Sequence, residues 1–180
     1  TIGGSLCWNY MAACTPAVVL ALDGQLNLMA SDGTKRTLAA DDFLLGPLET
    51  ARGDDEILIS VSWPAPAPRS GSAYKKWGQV TDALPVVGVC VLVTLDGNGR
   101  CEQARIALAG LADGTQRAVA GEAALVGSDG DPASVDAAMS TIAEAADTHS
   151  DLSADADYRK NLIRTLGRTV CVTAFERARA

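Results

Sequence analysis

Residues 86–99 read VVGVCVLVTLDGNG, an apolar run that ends in a strong turn signal. The Val-rich part, 86–95, is continuous and long enough for a buried strand. Residues 96–99, Asp-Gly-Asn-Gly, predict a hairpin turn, and 102–109 predict the strand that returns from it. With a further strand at 73–80, this part of the chain predicts about three antiparallel strands.

Helical patterns follow these strands. Near the C-terminus, apolar residues recur at helical spacing at Tyr158, Leu162, Ile163, Leu166 and Val170. The predicted helices are 115–126, 134–146 and 155 to about 177. Strands followed by helices indicate an α+β fold, in which about three antiparallel strands pack on a helical bundle.

The N-terminal part predicts a small α/β unit. Thr15-Pro16 is typical of a helix start, with a hydroxyl cap before Pro at the first helical position. That helix is predicted over 17–22 and ends at Asp23-Gly24. Alternating apolar residues then predict a hairpin, with strands at 25–31 and 34–39 around a tight turn.

The rest of this unit is a short turn or single helical turn at 41–47 and a strand at 56–63. In the strand pattern Ile57, Ile59 and Val61 fall on one face. Leu58 falls on the other.

Pro64, Pro66 and Pro68 follow that strand at a spacing of two. Such a run cannot pair as a central strand and favours an extended linker. We therefore expect a small α/β unit at 1–64, a Pro-rich linker at 65–72 and a second domain at 73–180.

Charge and cysteine usage narrow the class of protein. The chain has 180 residues, with 15 Lys and Arg against 22 Asp and Glu, which gives a net charge of −7. This balance argues against non-specific nucleic-acid or anionic-membrane binding, and no apolar stretch reaches the length of a membrane span. Five Cys without a CxxC and a single His do not suggest a zinc site. Reduced thiols in a cytoplasmic protein are the expectation.

Residues 1–5, Thr-Ile-Gly-Gly-Ser, have two interpretations. The two Gly let backbone amides approach an anion, so the segment could cradle a phosphate. A Gly-Gly pair is more often a plain turn. Trp8 and Tyr10 could stack on an aromatic ligand or simply pack. Lys75 and Lys76 on a strand could meet a phosphate or a ring atom, or lie on a solvated face.

Other polar groups favour structural roles. The acidic residues between 129 and 157 do not match the spacing of a calcium loop and are expected to cap helices or lie on solvated faces. His149 has no Ser or Cys placed near it by a known motif, so a catalytic triad is not supported. No catalytic or metal-binding residue is predicted.

Taken in order, several motifs resemble one family. In the first half they are Thr1-Ile2-Gly3-Gly4, Pro16-Ala17 with 18–23, FLLGP at 43–47 and DEIL at 55–58. In the second half they are GSAYKK at 71–76, VGV at 87–89, LDG at 95–97, ARIAL at 104–108, AGEAAL at 120–125 and Tyr158-Arg159. The chain resembles the FAD-binding medium subunit of the molybdenum hydroxylases, a family that includes the carbon monoxide dehydrogenase medium subunit and the xanthine dehydrogenase flavin domain.

The resemblance implies a fold and a role. Residues 1–64 would be the middle FAD-binding subdomain and 73–180 the C-terminal flavoprotein domain. FAD would receive electrons from [2Fe–2S] clusters in a small subunit, which are fed by molybdopterin in a large subunit, and would pass them to an external acceptor. The family's N-terminal FAD subdomain has no counterpart here, so the resemblance implies a truncated portion, or a subdomain on a separate chain, and an incomplete FAD site.

The resemblance also suggests cofactor contacts. Residues 1–5 (Thr1, Ile2, Gly3, Gly4 and Ser5) match the family's second Gly-rich loop, which holds the pyrophosphate. Leu58 matches an apolar residue near the isoalloxazine ring, and Lys75 or Lys76 a basic residue near the flavin.

Some positions depart from the family pattern. Ser5 replaces the usual Asn, Cys14 falls where an Asp normally bonds the cofactor, and Gln79-Val80 replace an Arg pair. A thiol is a poor substitute for a carboxylate acceptor. An alternative is therefore a degenerate binding or assembly module that keeps the fold and does not use flavin. An independent enzyme with Cys14 as nucleophile lacks a placed base.

Overall fold

The structure is a computed structural model, and it describes residues 1–80 and 83–180. The helices are α1 (Ile2–Trp8), α2 (Cys14–Ala21), α3 (Ala40–Phe43), α4 (Val119–Leu125), α5 (Pro132–Ala145) and α6 (Ala156–Arg179). The strands are β1 (Gln25–Ala30), β2 (Lys35–Ala39), β3 (Leu44–Gly46), β4 (Glu49–Thr50), β5 (Glu56–Ser62), β6 (Ser70–Trp77), β7 (Val87–Leu95), β8 (Cys101–Ala109) and β9 (Gln116–Arg117).

The central sheet has the strand order β6-β7-β8-β9, and every pairing is antiparallel. The predicted apolar strand, its hairpin turn and its return are confirmed as β7 and β8. One helix prediction was wrong at its start. Gln116 and Arg117 pair with β8 as a short fourth strand, so α4 begins only at Val119.

One face of this sheet and the C-terminal helices enclose the larger core. Val89, Val91 and Val93 alternate onto that face and are fully buried. In α6 the predicted apolar stripe is buried apart from Tyr158, which packs edge-on against Trp77. The α+β prediction, a sheet on a helical bundle, is confirmed.

Strand β6 approaches α6 so closely that it needs a glycine. A Cβ added at Gly71 would overlap the backbone of Ala174 and Ala178 in α6. Because β6 begins at Ser70, the last three residues of the predicted 65–72 linker belong to the sheet, and the strand ends at Trp77 rather than at residue 80.

The other sheet face is covered by the N-terminal part. Cys90, Ala107 and Ala109 point to this side and share a second core with α2 and the small sheet. That small sheet has the order β2-β1-β5, and the predicted β1–β2 hairpin is confirmed. The N-terminal part and the C-terminal helices therefore pack on opposite faces of this sheet.

The predicted faces of the 56–63 strand were partly wrong. The register of β5 against β1 shifts between Asn27 and Leu28, so that Leu26 faces Val61 while Leu28 faces Leu58. This irregularity puts Val61 and Leu58 on the same, half-buried side, and leaves Ile57 and Ile59 exposed.

Thr15 is not a helix cap. Helix α2 begins one residue earlier, at Cys14, and its N-cap position is Ala13, which makes no side-chain cap bond. The predicted end of the helix is correct to within one residue, because α2 ends at Ala21 and Asp23 has a left-handed backbone (φ 57°). Within the described ranges, no helix is long and apolar enough to cross a bilayer.

A buried arginine joins the two halves. Arg105 of β8 donates to the carbonyl oxygens of Leu20 and Ala21 at the end of α2, at 2.8 and 3.2 Å. Its guanidinium also pairs with Asp23 at 3.1 Å and with Asp41 at 3.3 Å. These contacts satisfy the last carbonyls of α2 and hold that helix on the sheet.

Candidate functional site

Residues 1–5 begin a helix. The side chain of Thr1 accepts a hydrogen bond from the Gly4 N–H at 3.0 Å, and the Thr1 carbonyl accepts from the Ser5 N–H at 3.0 Å. The interpretation of Gly3-Gly4 as a turn was therefore wrong, because both lie in the first turn of α1. The earlier amides of that turn, at Ile2 and Gly3, have no intrahelical acceptor and are open donors.

A shallow groove of about 360 Å³ runs between the start of α1 and β5. Its lining residues are Ile2, Gly3, Leu58, Ile59, Ser60, Val61 and Trp63. A Cβ placed at Gly3 would come to 3.9 Å from the Leu58 side chain and meet nothing closer. The structure thus brings together two positions that the resemblance singled out separately, Gly3 and Leu58.

The segment after α1 is held by a buried asparagine. Asn9 is 2% exposed, has a left-handed backbone (φ 43°), and its amide donates to the carbonyls of Gly46 and Glu49 at 2.7 and 2.9 Å. Its Oδ1 has no hydrogen-bond partner among the described residues. On either side of it Trp8 and Tyr10 stack, with ring centroids 4.8 Å apart.

Cys14 lies away from the groove, beside Tyr74 of β6. Burial is the main cause that raises the pKa of Tyr74 well above its ordinary value, and its contact with the Cys14 side chain raises it further. The Tyr74 hydroxyl is buried with no conventional partner among the described residues. Cys14 therefore contributes to packing between α2 and the central sheet.

The two lysines also stand apart from the groove. The ammonium of Lys76 donates to the Ala83 carbonyl at 2.9 Å, which ties the end of β6 to the segment that follows. Lys75 is exposed on the strand. The structure does not bring either lysine to Gly3 and Leu58.

The acidic residues between 129 and 157 include helix caps. Asp131 accepts from the backbone of Ala133 and Ser134 at the start of α5, and Asp155 accepts from Tyr158 at the start of α6. Within 1–80 and 83–180, no group of three or more His, Cys, Asp or Glu is arranged to hold a metal ion. His149 lies 3.5 Å from Asp151.

Comparison with known proteins identifies the family. Residues 72–174 match the CO dehydrogenase flavoprotein C-terminal domain, and residues 1–66 match the FAD binding domain in molybdopterin dehydrogenase. The chain belongs to the FAD-binding subunit family of the molybdenum hydroxylases. The family resemblance drawn from the sequence is confirmed.

Individual relatives of this FAD-binding subunit family agree. The chain is 32% identical to the nicotine 6-hydroxylase medium subunit of Paenarthrobacter nicotinovorans over 98% of its own length and 61% of the relative's. It superposes on a carbon monoxide dehydrogenase structure from Hydrogenophaga pseudoflava with a TM-score of 0.92 and 30% identity, over 98% of this chain and 61% of that one. Quinoline 2-oxidoreductase from Pseudomonas putida 86 matches with a TM-score of 0.90 and 26% identity, over 100% and 62%. The chain spans about three fifths of these relatives.

The residues present suit part of an FAD. The open amides of Ile2 and Gly3 at a helix start can donate to phosphate oxygens, and the Leu58 groove offers apolar surface to a ring. Residue 14 is a cysteine, so this chain lacks the carboxylate that the resemblance places there. Sequence reasoning missed the buried Asn9, whose only signal was its place between two aromatic residues.

Proposed function

We propose that this chain is the flavin-carrying part of a molybdopterin and iron–sulfur oxidoreductase. The observation that carries the proposal is that Gly3 and Leu58 line one groove, within the segment that matches an FAD-binding domain. Two sequence positions, 55 residues apart, meet at the start of a helix whose first amides are open.

Each residue has a defined task in this proposal. The amides of Ile2 and Gly3 bind pyrophosphate oxygens, and Thr1 fixes their direction by capping the helix. Leu58 packs against the cofactor and excludes water. FAD supplies the redox chemistry, because it takes up electrons from one centre and delivers them to another.

Ser5, Cys14, Lys75 and Lys76 complete the proposed set of cofactor-binding residues. Their support is the sequence resemblance alone, since they lie outside the groove. In the assembled enzyme, further polypeptide would have to position the rest of the FAD against these four residues.

Partners are part of the proposal. The relatives are named as medium chains or subunits of larger enzymes, and this chain spans about 61% of the first of them. We infer that further polypeptide, in the same protein or on a separate chain, completes the FAD site. A large subunit would carry molybdopterin and a small subunit the [2Fe–2S] clusters, so the isolated chain would be inactive. Five free cysteines favour a cytoplasmic location.

A second candidate keeps the fold without the flavin, as a binding or assembly module. The thiol of Cys14, in place of a carboxylate acceptor, favours it, as does the short side chain of Ser5. The open amides at Ile2 and Gly3 argue against it.

A visible spectrum after incubation with excess FAD and desalting tests the proposal. The chain would be compared with a form extended at its N-terminus by upstream coding sequence, and with Gly3→Val in both forms. Retained flavin absorbance in the extended form, lost in Gly3→Val, is the expected result. If neither form retains flavin, the binding-module candidate replaces the flavin proposal.

A further inference from the structure

A cavity of about 290 Å³ lies where residues 10–12 meet the C-terminal half of the chain. Its lining includes the polar side chains of His149, Asp151 and Arg159 and the apolar segment Leu84, Pro85 and Val86. It shares no lining residue with the groove at Gly3 and Leu58. A lining of both kinds suits a ligand that has a polar group and an apolar body.

Arg159 is a buried cation in the wall of this cavity, and the residue is 2% exposed. Its Nη1 donates to the carbonyl oxygens of Val86 and Gly110 at 2.5 and 3.1 Å, and its Nη2 pairs with Asp151 at 2.7 Å. Its Nε is buried and has no hydrogen-bond partner among the described residues. Because an unpaired buried donor costs about 1–3 kcal/mol, an acceptor for this N–H would stabilise the site.

His149 has a second unpaired nitrogen in the wall of the same cavity. Its Nδ1 is buried without a hydrogen-bond partner within residues 1–80 and 83–180. Its Nε2 lies 3.5 Å from Asp151 Oδ2, the same oxygen that pairs with Arg159 Nη2. The two side chains therefore converge on one carboxylate oxygen, and each keeps one unpaired nitrogen. When Nδ1 carries a proton, both of these nitrogens are donors and both require an acceptor.

Charge favours one kind of acceptor. The Asp151 carboxylate already neutralises the Arg159 guanidinium, so a protonated His149 leaves the described lining with one net positive charge. A ligand with one negative charge and oxygen acceptors complements that charge. A water molecule takes up about 30 Å³ of the liquid, so the cavity has room for a larger molecule.

We propose that this cavity binds a small organic carboxylate. Its oxygens accept from Arg159 Nε and His149 Nδ1, and its apolar body lies against Leu84, Pro85 and Val86. The site goes beyond the proposed function, because none of the described lining residues belongs to the proposed cofactor-binding set.

A bound carboxylate would also join the two halves of the chain. Tyr10, Met11 and Ala12 line the cavity from the N-terminal half. Beside them, the Gly110 N–H donates to the Met11 carbonyl at 2.8 Å. A ligand held by His149 and Arg159 should therefore raise the thermal midpoint of the chain, because it binds only where both halves are packed.

The first test uses the single His of the chain as a reporter. Benzoate and its neutral counterpart benzamide are titrated into the 180-residue chain, and the imidazole nuclear magnetic resonance signals are followed. Acetate and acetamide form a second, smaller pair. The carboxylates should shift the signals saturably, and the amides should not. The titration is repeated in the N-terminally extended form, where the signal missing from His149→Phe identifies His149.

Variants test the two donors through the benzoate affinity measured by calorimetry. His149→Phe keeps a ring and removes both nitrogens, and Arg159→Lys keeps the charge and removes Nε. Loss of a hydrogen bond to a charged group should weaken binding about 10- to 100-fold in each variant. Arg168→Met is the matched control, because it removes an exposed cation from the same helix and should leave the affinity unchanged.

Three results would overturn the proposal. The first is that neither carboxylate shifts the His149 signals. The second is that the amides bind as tightly as the carboxylates, and the third is that Arg168→Met weakens benzoate binding as much as His149→Phe. If Arg159→Lys lowers the thermal midpoint, His149→Phe decides, because its side chain is 25% exposed and tolerates replacement. None of these measurements involves flavin, so a failure here leaves the FAD proposal standing.

Discussion

The two faces of the central sheet are packed differently. On one face, α4, α5 and α6 cover β7 and β8 with a continuous apolar core. On the other, the N-terminal half forms a smaller core around α2 and β1 and leaves a group of large apolar side chains exposed. That group consists of Ile2, Trp8, Leu45, Leu48, Ile57, Ile59 and Trp63.

We interpret this difference as a division of roles, with a structural C-terminal half and a cofactor-binding N-terminal half. The C-terminal half encloses the larger core against its own helices, so it can act as a scaffold. It also has exposed large apolar side chains, at Val80, Leu84, Val119, Val126, Leu152 and Tyr158. The N-terminal half carries the groove, the open amides and the aromatic pair, and its exposed apolar surface is what a cofactor or a neighbouring polypeptide would cover.

Gly71→Val should destabilise the scaffold. The new side chain would force β6 away from the backbone of Ala174 and Ala178 in α6, at a cost of about 3 kcal/mol or more. Chemical denaturation measures this loss. Gly97→Ala is the matched control, because a Cβ there meets nothing within 4 Å. An equal effect from both variants would contradict the close packing of β6 on α6.

Arg105→Met should release the N-terminal half from the sheet. It leaves the Leu20 and Ala21 carbonyls without their donor, with an expected loss of about 2–3 kcal/mol. Hydrogen exchange should speed up in α2 more than in α6. The control Arg168→Met removes an exposed pair with Asp136 and should cost less than about 0.5 kcal/mol. Uniform exchange throughout the chain would mean that the two halves unfold as one unit.

Asn9→Gly should loosen only the binding region. Glycine keeps the left-handed backbone, so the loss of about 1–2 kcal/mol comes mainly from the two side-chain hydrogen bonds, with a smaller part from the greater freedom of glycine in the unfolded chain. FAD affinity should fall together with the order of the Trp8–Tyr10 pair, seen as reduced near-ultraviolet circular dichroism. Unchanged affinity with a lower thermal midpoint would show that this segment has no part in binding.

Acid sensitivity should arise in both halves. The Arg36 guanidinium, together with the Gly53 N–H, lowers the pKa of Glu56 to about 2. Burial alone would raise the pKa of Asp151, but the N–H groups of Ser153 and Ala154 and the Arg159 guanidinium lower it to about 2.

The ordinary pKa of both carboxyl types is about 4, so the stability that they contribute is complete above that pH. It is lost as the pH falls from about 4 to about 2. Thermal midpoints measured across this interval should fall less steeply in Glu56→Gln and in Asp151→Asn than in the parent. If the thermal midpoint of either variant falls with pH as steeply as that of the parent, the substituted carboxyl does not contribute to the acid sensitivity.

Much of the fold followed from local patterns. The Val-rich β7, the Asp-Gly-Asn-Gly turn and the stripe of α6 were predictable, because burial on one side imposes a period of two or 3.6 residues. The β9 strand was not predictable, since two residues pair with β8 without any pattern of their own. The predicted faces of β5 were wrong for a related reason. A register irregularity reverses the alternation of the side chains, and no sequence pattern indicates it.

The candidate site was likewise predictable only in part. Sequence resemblance selected residues 1–5 and Leu58, and the structure brings Gly3 and Leu58 together. For Gly3-Gly4 the residues alone left a phosphate cradle or a plain turn open, and in the structure the Thr1 cap starts a helix there. A two-glycine sequence is compatible with both conformations, and the cap and the packing of Leu6 decide between them.

The class of fold, the order of the longer strands and helices, and the family to which the chain belongs followed from the sequence. These depend on local periodicity and on ordered motifs, which a linear chain displays directly. Three-dimensional packing was needed to show that Gly3 lies near Leu58, that Arg105 ties α2 to the sheet, and that Trp8 is exposed and stacked on Tyr10. Such juxtapositions depend on long-range packing, whose energy comes from residues far apart in the chain and so leaves no local pattern.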